Sequence, residues 1–292
     1  MSHCVEPAAF AGEPGSDPGD EMFLELRPGV RMVFCWCPRP AAPFRRGSPE
    51  TEANRFDSEK PHWVTLSHGF WLAKHPVNQG QYHAVLGDRP SHFKLGDDGP
   101  VDTVSWDNAQ RFCREAQTQM KIPGGWRLAL PTEAQWEYAC RAGAPFEFPF
   151  GVGDGRSLHA QWANFDGNHP YGEDFPWLYR KATVREGSFP PNAWGLHDMH
   201  GQLWEWCADW RGDYPDADER RPAVDPSGAE TDVYRVLRGG SWFDVGRHCR
   251  AANRFGNAPA NRPHYIGFRP ALVPPGARPG PEAKAGAERL KR

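Results

Sequence analysis

Residues 238–272 read RGGSWFDVGRHCRAANRFGNAPANRPHYIGFRPAL. Six arginines stand against a single acid, Asp244, and Asn253, Asn257 and Asn261 are spaced among glycines and prolines. No helical period runs through the stretch, so irregular loops with short strand pieces are expected. Loops of this kind are held by side chains. The guanidinium forks of Arg238, Arg250, Arg254, Arg262 and Arg269 can tie loop carbonyls and carboxylates together, and the asparagines can satisfy turns with their own amides. Among the side chains that stand between these positions are Phe243, Asp244, Val245, His248, Phe255, Pro263, His264 and Tyr265. Their mixture of aromatic, histidine and acidic groups suits an adaptable recognition surface, and they are the expected ligand-binding residues.

Working back along the chain, the loop character extends to Ala144, broken by short apolar pieces at residues 203–207 (LWEWC) and 234–237 (YRVL). Regular elements are better marked before that point. Residues 23–26, the turn Arg27-Pro28-Gly29 and residues 30–37 suggest a β-hairpin, and residues 62–72 (HWVTLSHGFWL) suggest a further strand. Asn78 caps a helix running to Leu86. Ser105 caps a second, with Trp106, Ala109, Phe112, Cys113 and Ala116 on one face. Thr132, with Gln135 three residues on, forms a capping box for a third that Gly143 ends. The expected class is α+β, loop-rich, with short helices and small antiparallel sheets.

Residues 1–20 and 274–292 carry few apolar side chains and are expected to be flexible tails. All 13 Trp lie between them, and no composition break divides residues 21–273, so one domain is expected there. A formal charge of −3 argues against bulk attraction to nucleic acid or anionic membrane. No apolar run resembles a membrane span or a secretory signal. Seven cysteines, an odd number spread along the chain, do not read as a disulfide framework, and the expected compartment is the cytoplasm. His62 and His68 are read as exposed strand histidines. Cys35-x-Cys37 lacks the second pair that a zinc site needs, and no Gly-x-Ser-x-Gly nucleophile turn occurs.

Four segments in order carry a resemblance: residues 125–143 (GWRLALPTEAQWEYACRAG), 163–172 (ANFDGNHPYG), 188–210 (SFPPNAWGLHDMHGQLWEWCADW) and 235–272, which opens RVLRGGSW and closes IGFRPAL. Together they resemble the sulfatase-modifying-factor family, whose fold is the formylglycine-generating-enzyme branch of the C-type lectin fold. Weaker matches extend the likeness to residues 22–272. The family hosts several activities, so function has to be argued from the site.

The resemblance implies two metals. Members that convert a sulfatase cysteine to formylglycine hold Cu(I) with two thiolates after RGGS, since Cu(I) prefers soft ligands. The matching positions here are Asp244 and Cys249, a single thiol, so Cys249 would be catalytic only under the enzymatic alternative. Members also hold structural Ca²⁺ through oxygen ligands, which correspond here to Asn164, Asp166, Gln202, the Leu203 carbonyl and Glu205. The nonheme-iron branch uses a His-x-x-x-His-x-Glu cluster that this chain lacks.

Residues 238–272 also resemble the variable proteins of diversity-generating retroelements, in which template adenines are miscopied. An Asn codon AAC with both adenines randomised excludes only Gln, Glu, Lys, Met and Trp, and all eight candidate positions obey that restriction. The expected function is therefore a non-catalytic protein displaying a recognition surface to a macromolecular ligand. The alternative is a copper- and oxygen-dependent formylglycine-generating oxidoreductase. A monomer is expected, with no nucleic-acid partner and no organic cofactor.

Overall fold

The computed structural model describes residues 8–120 and 122–277. The strands of the first half are β1 (Ala8–Ala9), β2 (Glu21–Arg27), β3 (Val30–Cys37), β4 (Phe44–Arg46), β5 (His62–Thr65), β6 (Phe70–Ala73) and β7 (Arg127–Ala129). Those of the second half are β8 (Trp204–Trp210), β9 (Ala223–Val224), β10 (Arg235–Arg238), β11 (Arg254–Asn257), β12 (Ile266–Gly267) and β13 (Ala271–Val273). The helices are α1 (Gln79–Leu86), α2 (Trp106–Met120) and α3 (Glu133–Arg141). One sheet is ordered β1-β2-β3-β6-β13-β7, a second β11-β10-β8-β12 and a third β4-β5-β9. The class is α+β with long loops.

Local chemistry sets the helices. Asn78 and Thr132 each close a full capping box, and Ser105 Oγ accepts from the Asn108 amide at 3.1 Å. The five residues expected on one face of α2 are the ones it buries. The helix α3 ends on Ala142 in the left-handed region (φ 46°), one residue before the expected glycine stop. The opening hairpin β2–β3 forms as expected.

Three expectations need correction. The sheets are mixed, not purely antiparallel: β1 runs parallel to β2, β5 to β9 and β12 to β8. Residues 62–72 form two strands in different sheets, because the chain turns at residues 66–69. Gly69 there lies so close to Trp36 that a Cβ would meet the ring at 2.5 Å. His62 is buried against the Tyr214 ring, and of the two histidines only His68 is exposed. Residues 8–20, expected to belong to a flexible tail, pack on the large sheet. Phe10 meets Trp71 and Trp126 edge-on, and the two indole N–H groups donate to the Glu13 and Gly12 carbonyls. Residues 1–7 and 278–292 lie outside the described residues. No described helix is long and apolar enough to cross a membrane.

Aromatic side chains bolt α2 to the second sheet. Trp106 Nε1 donates to the Cys207 carbonyl at 2.9 Å, and Trp206 Nε1 donates to the Val104 carbonyl at 3.0 Å. The helix α3 is held differently. Its Glu133 and Glu137 lie one turn apart and are buried. Glu133 pairs with Arg46 at 2.9 Å, Arg238 at 3.0 Å and Arg254 at 2.8 Å. Glu137 pairs with Arg238 at 2.7 Å and Arg141 at 3.1 Å. Burial opposes ionisation of Glu133, but the Arg254, Arg46 and Arg238 guanidiniums outweigh it and hold the carboxyl well below its usual range. Removing one partner from such a network strands the opposite charge in a dry site. Arg238→Ala is expected to lower the unfolding free energy by about 3–5 kcal/mol in urea titration; a loss below about 1 kcal/mol would show that the network does not carry α3.

Asp209 on β8 is buried and accepts the Glu133 amide at 2.8 Å. Burial, reinforced by the Glu133 charge, pushes its carboxyl from an ordinary 3.8 to about 7. The folded chain therefore holds this proton between about pH 4 and 7, where the unfolded chain has released it. Stability contributed by the protonated form is complete below the unfolded value and is lost as pH rises towards 7. Asp209→Asn keeps an acceptor for the Glu133 amide but carries no proton to lose. Its stability relative to the parent should climb between pH 4 and 7 and then level off, read from chemical denaturation across that range. A difference independent of pH would contradict the assignment.

Candidate ligand-binding face

The strand β10 carries the RGGS segment into the centre of the second sheet. It pairs antiparallel with β11, Leu237 opposite Phe255 and Arg238 opposite Arg254, and on its other side with β8. Strand alternation then sorts the side chains of β11. Arg254 points inward to Glu133, and Phe255 points outward, where its ring lies 5.6 Å from that of Trp204. Gly239 and Gly240 follow with φ of 99° and 76°, and a Cβ on Gly240 would come within 2.7 Å of Cys249 Sγ. Only glycine allows this turn to close over the cysteine.

The turn delivers Asp244 to a cluster of donors. Its carboxylate accepts from Ser241 Oγ and from Trp204 Nε1 at 2.9 Å, and lies 3.2 Å from His248 Nδ1. Its carbonyl accepts the Asp166 amide at 2.8 Å, which docks the 163–172 loop beside it. Above this cluster opens a cavity of about 370 Å³. Phe243, Asp244, His248, Phe255 and Tyr265 line it, with Trp204 and Phe56. The Phe243 and Tyr265 rings are 4.7 Å apart.

None of the eight expected ligand-binding residues is buried. Phe243 is 39 % exposed, Phe255 is 48 % exposed and His264 is also exposed, with the other five half-buried. Five share the cavity just described. Pro263 lines an adjoining cavity, Val245 lines another beside His169 and Tyr171, and His264 packs against Trp242 and His92. Of the five arginines expected to tie the loops, four are buried and ion-paired. Arg250 meets Glu59 at 2.7 Å and Arg269 meets Glu205 at 2.6 Å, in addition to the Arg238 and Arg254 pairs. Arg262 departs from the expectation and is exposed. Asn257 accepts the Ala258 amide and the Asn261 side chain, as a turn asparagine does, and Asn253 donates to Glu59.

The pair of thiols that copper needs is not present, and most side-chain oxygens of the calcium set already have protein partners. Cys249 is fully buried, and burial, with the Asp244 charge adding to it, raises its thiol well above the ordinary value, whereas a copper ligand must be a thiolate. Asp244 is a hard ligand whose oxygens are already engaged, so the residues present do not fit Cu(I). For calcium, Glu205 is bound by Nε and Nη2 of Arg269 and by Trp136 Nε1, and Gln202 Oε1 takes Asn164 Nδ2 and the Val184 amide. Asp166 Oδ1 is held by Asn168, and Leu203 is buried. Only Asn164 Oδ1 of those side-chain oxygens is buried without a partner. Among the described residues no group of three or more His, Cys, Asp and Glu is placed to hold a metal ion. Asp198, outside the expected set, is buried with neither carboxylate oxygen hydrogen-bonded, and burial raises it to about 7.

Sequence reasoning missed several lining residues. Trp204 reads as core within LWEWC, yet its ring edge reaches the cavity. Arg211, Tyr234 and Phe56 sit in separate loops with no shared motif, and only the packing of those loops brings them to the face.

Several known proteins are similar to this chain. A formylglycine-generating enzyme of Thermomonospora curvata is 33 % identical over 224 residues, covering 74 % of this chain and 65 % of that protein. The chain spans between half and two-thirds of the length of the formylglycine-generating enzymes it matches. Among solved structures, Treponema denticola variable protein 1 superposes with a TM-score of 0.71 at 23 % identity, covering 87 % of this chain and 99 % of that one. PvdO from Pseudomonas aeruginosa superposes with a TM-score of 0.69 at 27 % identity, covering 88 % and 99 %. The fold is therefore the formylglycine-generating-enzyme type of C-type lectin fold. Residues 40–273 match the sulfatase-modifying factor enzyme 1-like domain, and the chain belongs to that family.

Proposed function

We propose that this chain is a non-catalytic binding protein that presents the face around Phe243, Phe255 and Tyr265 to a macromolecular ligand. The observation that carries this reading is the division of labour within residues 238–272. The arginines of the frame are buried and paired, apart from Arg247 and Arg262, whereas none of the eight interspersed residues is buried and five of them line one cavity. A scaffold stabilised from below tolerates change above, which is what a varied recognition surface requires. The adenine-miscopying restriction that all eight residues obey fits the same reading. A near-copy of the segment encoding residues 238–272 beside a reverse-transcriptase gene would establish diversification, and a neighbourhood with neither would remove that part of the proposal.

A second reading has its own support, the 33 % identity to formylglycine-generating enzymes. Under it, Cys249 would act with copper and oxygen on a peptide cysteine. The lone, buried, protonated thiol and the engaged Asp244 carboxylate weigh against it. Incubation with a cysteine-containing sulfatase-type peptide, Cu(I) and oxygen is expected to leave the peptide mass unchanged. Catalytic conversion to the aldehyde would establish the second reading.

The exposed side chains contribute little to folding in the proposed function. Phe243→Ser, Phe255→Ser and His264→Ser are each expected to change stability by no more than about 0.5 kcal/mol, because they leave the buried pairs intact. Thermal melting of the triple variant within a few degrees of the parent agrees with this, and collapse of the fold would mean that these rings belong to the core.

A further inference from the structure

Beside the cavity over Asp244 lies a larger one of about 850 Å³, and the two share Arg211, Phe255 and Tyr265. Shared walls make them two lobes of one groove. Arg211 stands at the divide. Its amide donates to the Tyr234 carbonyl at 2.8 Å, and its aliphatic stem lies over Gly256, where a Cβ would come within 2.4 Å of Arg211 Cδ. Unlike the buried arginines beneath, neither Arg211 nor Arg262, which also lines the larger lobe, has a carboxylate partner among the described residues. Among the described residues Asp244 is the sole acid lining either lobe, and Ser241, Trp204 and His248 already engage it.

The groove thus combines two unneutralised guanidiniums with aromatic walls from Tyr234, Phe255 and Tyr265. A guanidinium fork matches a carboxylate in two parallel hydrogen bonds, and apolar walls beside it strengthen that pairing. Exposed aromatic rings supply the apolar anchor of an interface. We infer that the ligand of this groove is an acidic segment of a partner protein, its carboxylate on Arg211 or Arg262 and a neighbouring aromatic or aliphatic side chain against Phe255 and Tyr265. The inference rests on the proposed binding function and adds the chemistry of the ligand. A nucleic acid fits less well, since two free arginines on a chain of net charge −3 make no extended basic track for a phosphate backbone.

The experiment is selection from a phage-displayed random peptide library on the full chain, with Arg211→Gln/Arg262→Gln as the counter-target. Neither arginine is buried, so the double variant is expected to melt with the parent. Enriched peptides are expected to carry Asp or Glu next to an aromatic or aliphatic residue and to bind the double variant at least about tenfold more weakly. Added salt is expected to weaken their binding to the parent. Peptides without acidic bias, or with equal affinity for the double variant, overturn the acidic-segment inference while leaving the face in place if Phe255→Ser still abolishes their binding. Peptides indifferent to both Phe243→Ser and Phe255→Ser overturn the binding face itself. Failure to enrich any peptide, or arginine-dependent binding of a single-stranded DNA oligonucleotide, also overturns the inference.

Discussion

Two buried glutamates one turn apart on α3 hold this molecule together. Glu133 and Glu137 collect Arg46 from β4, Arg238 from β10, Arg254 from β11 and Arg141 from their own helix, and Tyr214 donates its hydroxyl to Glu133 at 2.9 Å. The Arg46 and Arg254 guanidiniums also lie against the Tyr214 ring, 4.3 and 4.0 Å from its centre. Charges out of water are tolerable only when each finds its partner, so the cluster forms as a unit or not at all. It joins segments about two hundred residues apart in sequence, with little regular structure between many of them. In a loop-rich fold, this mutually dependent set of ion pairs ties segments together beside the apolar core that packs the large sheet against α1 and α2.

That constraint separates the two sides of the proposed binding face. Below it, each buried arginine is aimed by a strand or a tight turn and finishes on a glutamate or a row of carbonyls. Above it, strand alternation and the two left-handed glycines leave Phe243, Phe255 and His264 exposed, whereas Asp244 and Tyr265 keep structural contacts as well. The same geometry disfavours the enzymatic alternative. The turn that closes over Cys249 seals its thiol, and the hydrogen bonds that hold Asp244 fill the carboxylate at the other copper position. Arg269 pairs with Glu205 in the same way and ties β8 to the loop that precedes β13.

Much of this was legible in the sequence, and for definite reasons. Capping boxes act over three residues, so Asn78 and Thr132 announced their helices, and the spacing of Trp106, Ala109, Phe112, Cys113 and Ala116 announced the buried face of α2. The segment 238–272 marked four of the five arginines that tie its loops, and none of the eight residues singled out between them is buried. Tertiary structure decided what depends on partners distant in the chain. Phe10 could not be assigned until Trp71 and Trp126 formed its pocket, and so residues 8–20 read as a tail. The strand expected at residues 62–72 divides because its two halves pair with different partners, β4 and β9 on one side and β3 and β13 on the other, a choice invisible to periodicity. Arg262 and Arg254 look alike in sequence, yet one finds Glu133 and the other finds solvent. Local patterns fixed the elements and nominated the face. Which charges are neutralised, and therefore which remain for a ligand, was settled only when loops far apart in sequence were packed together.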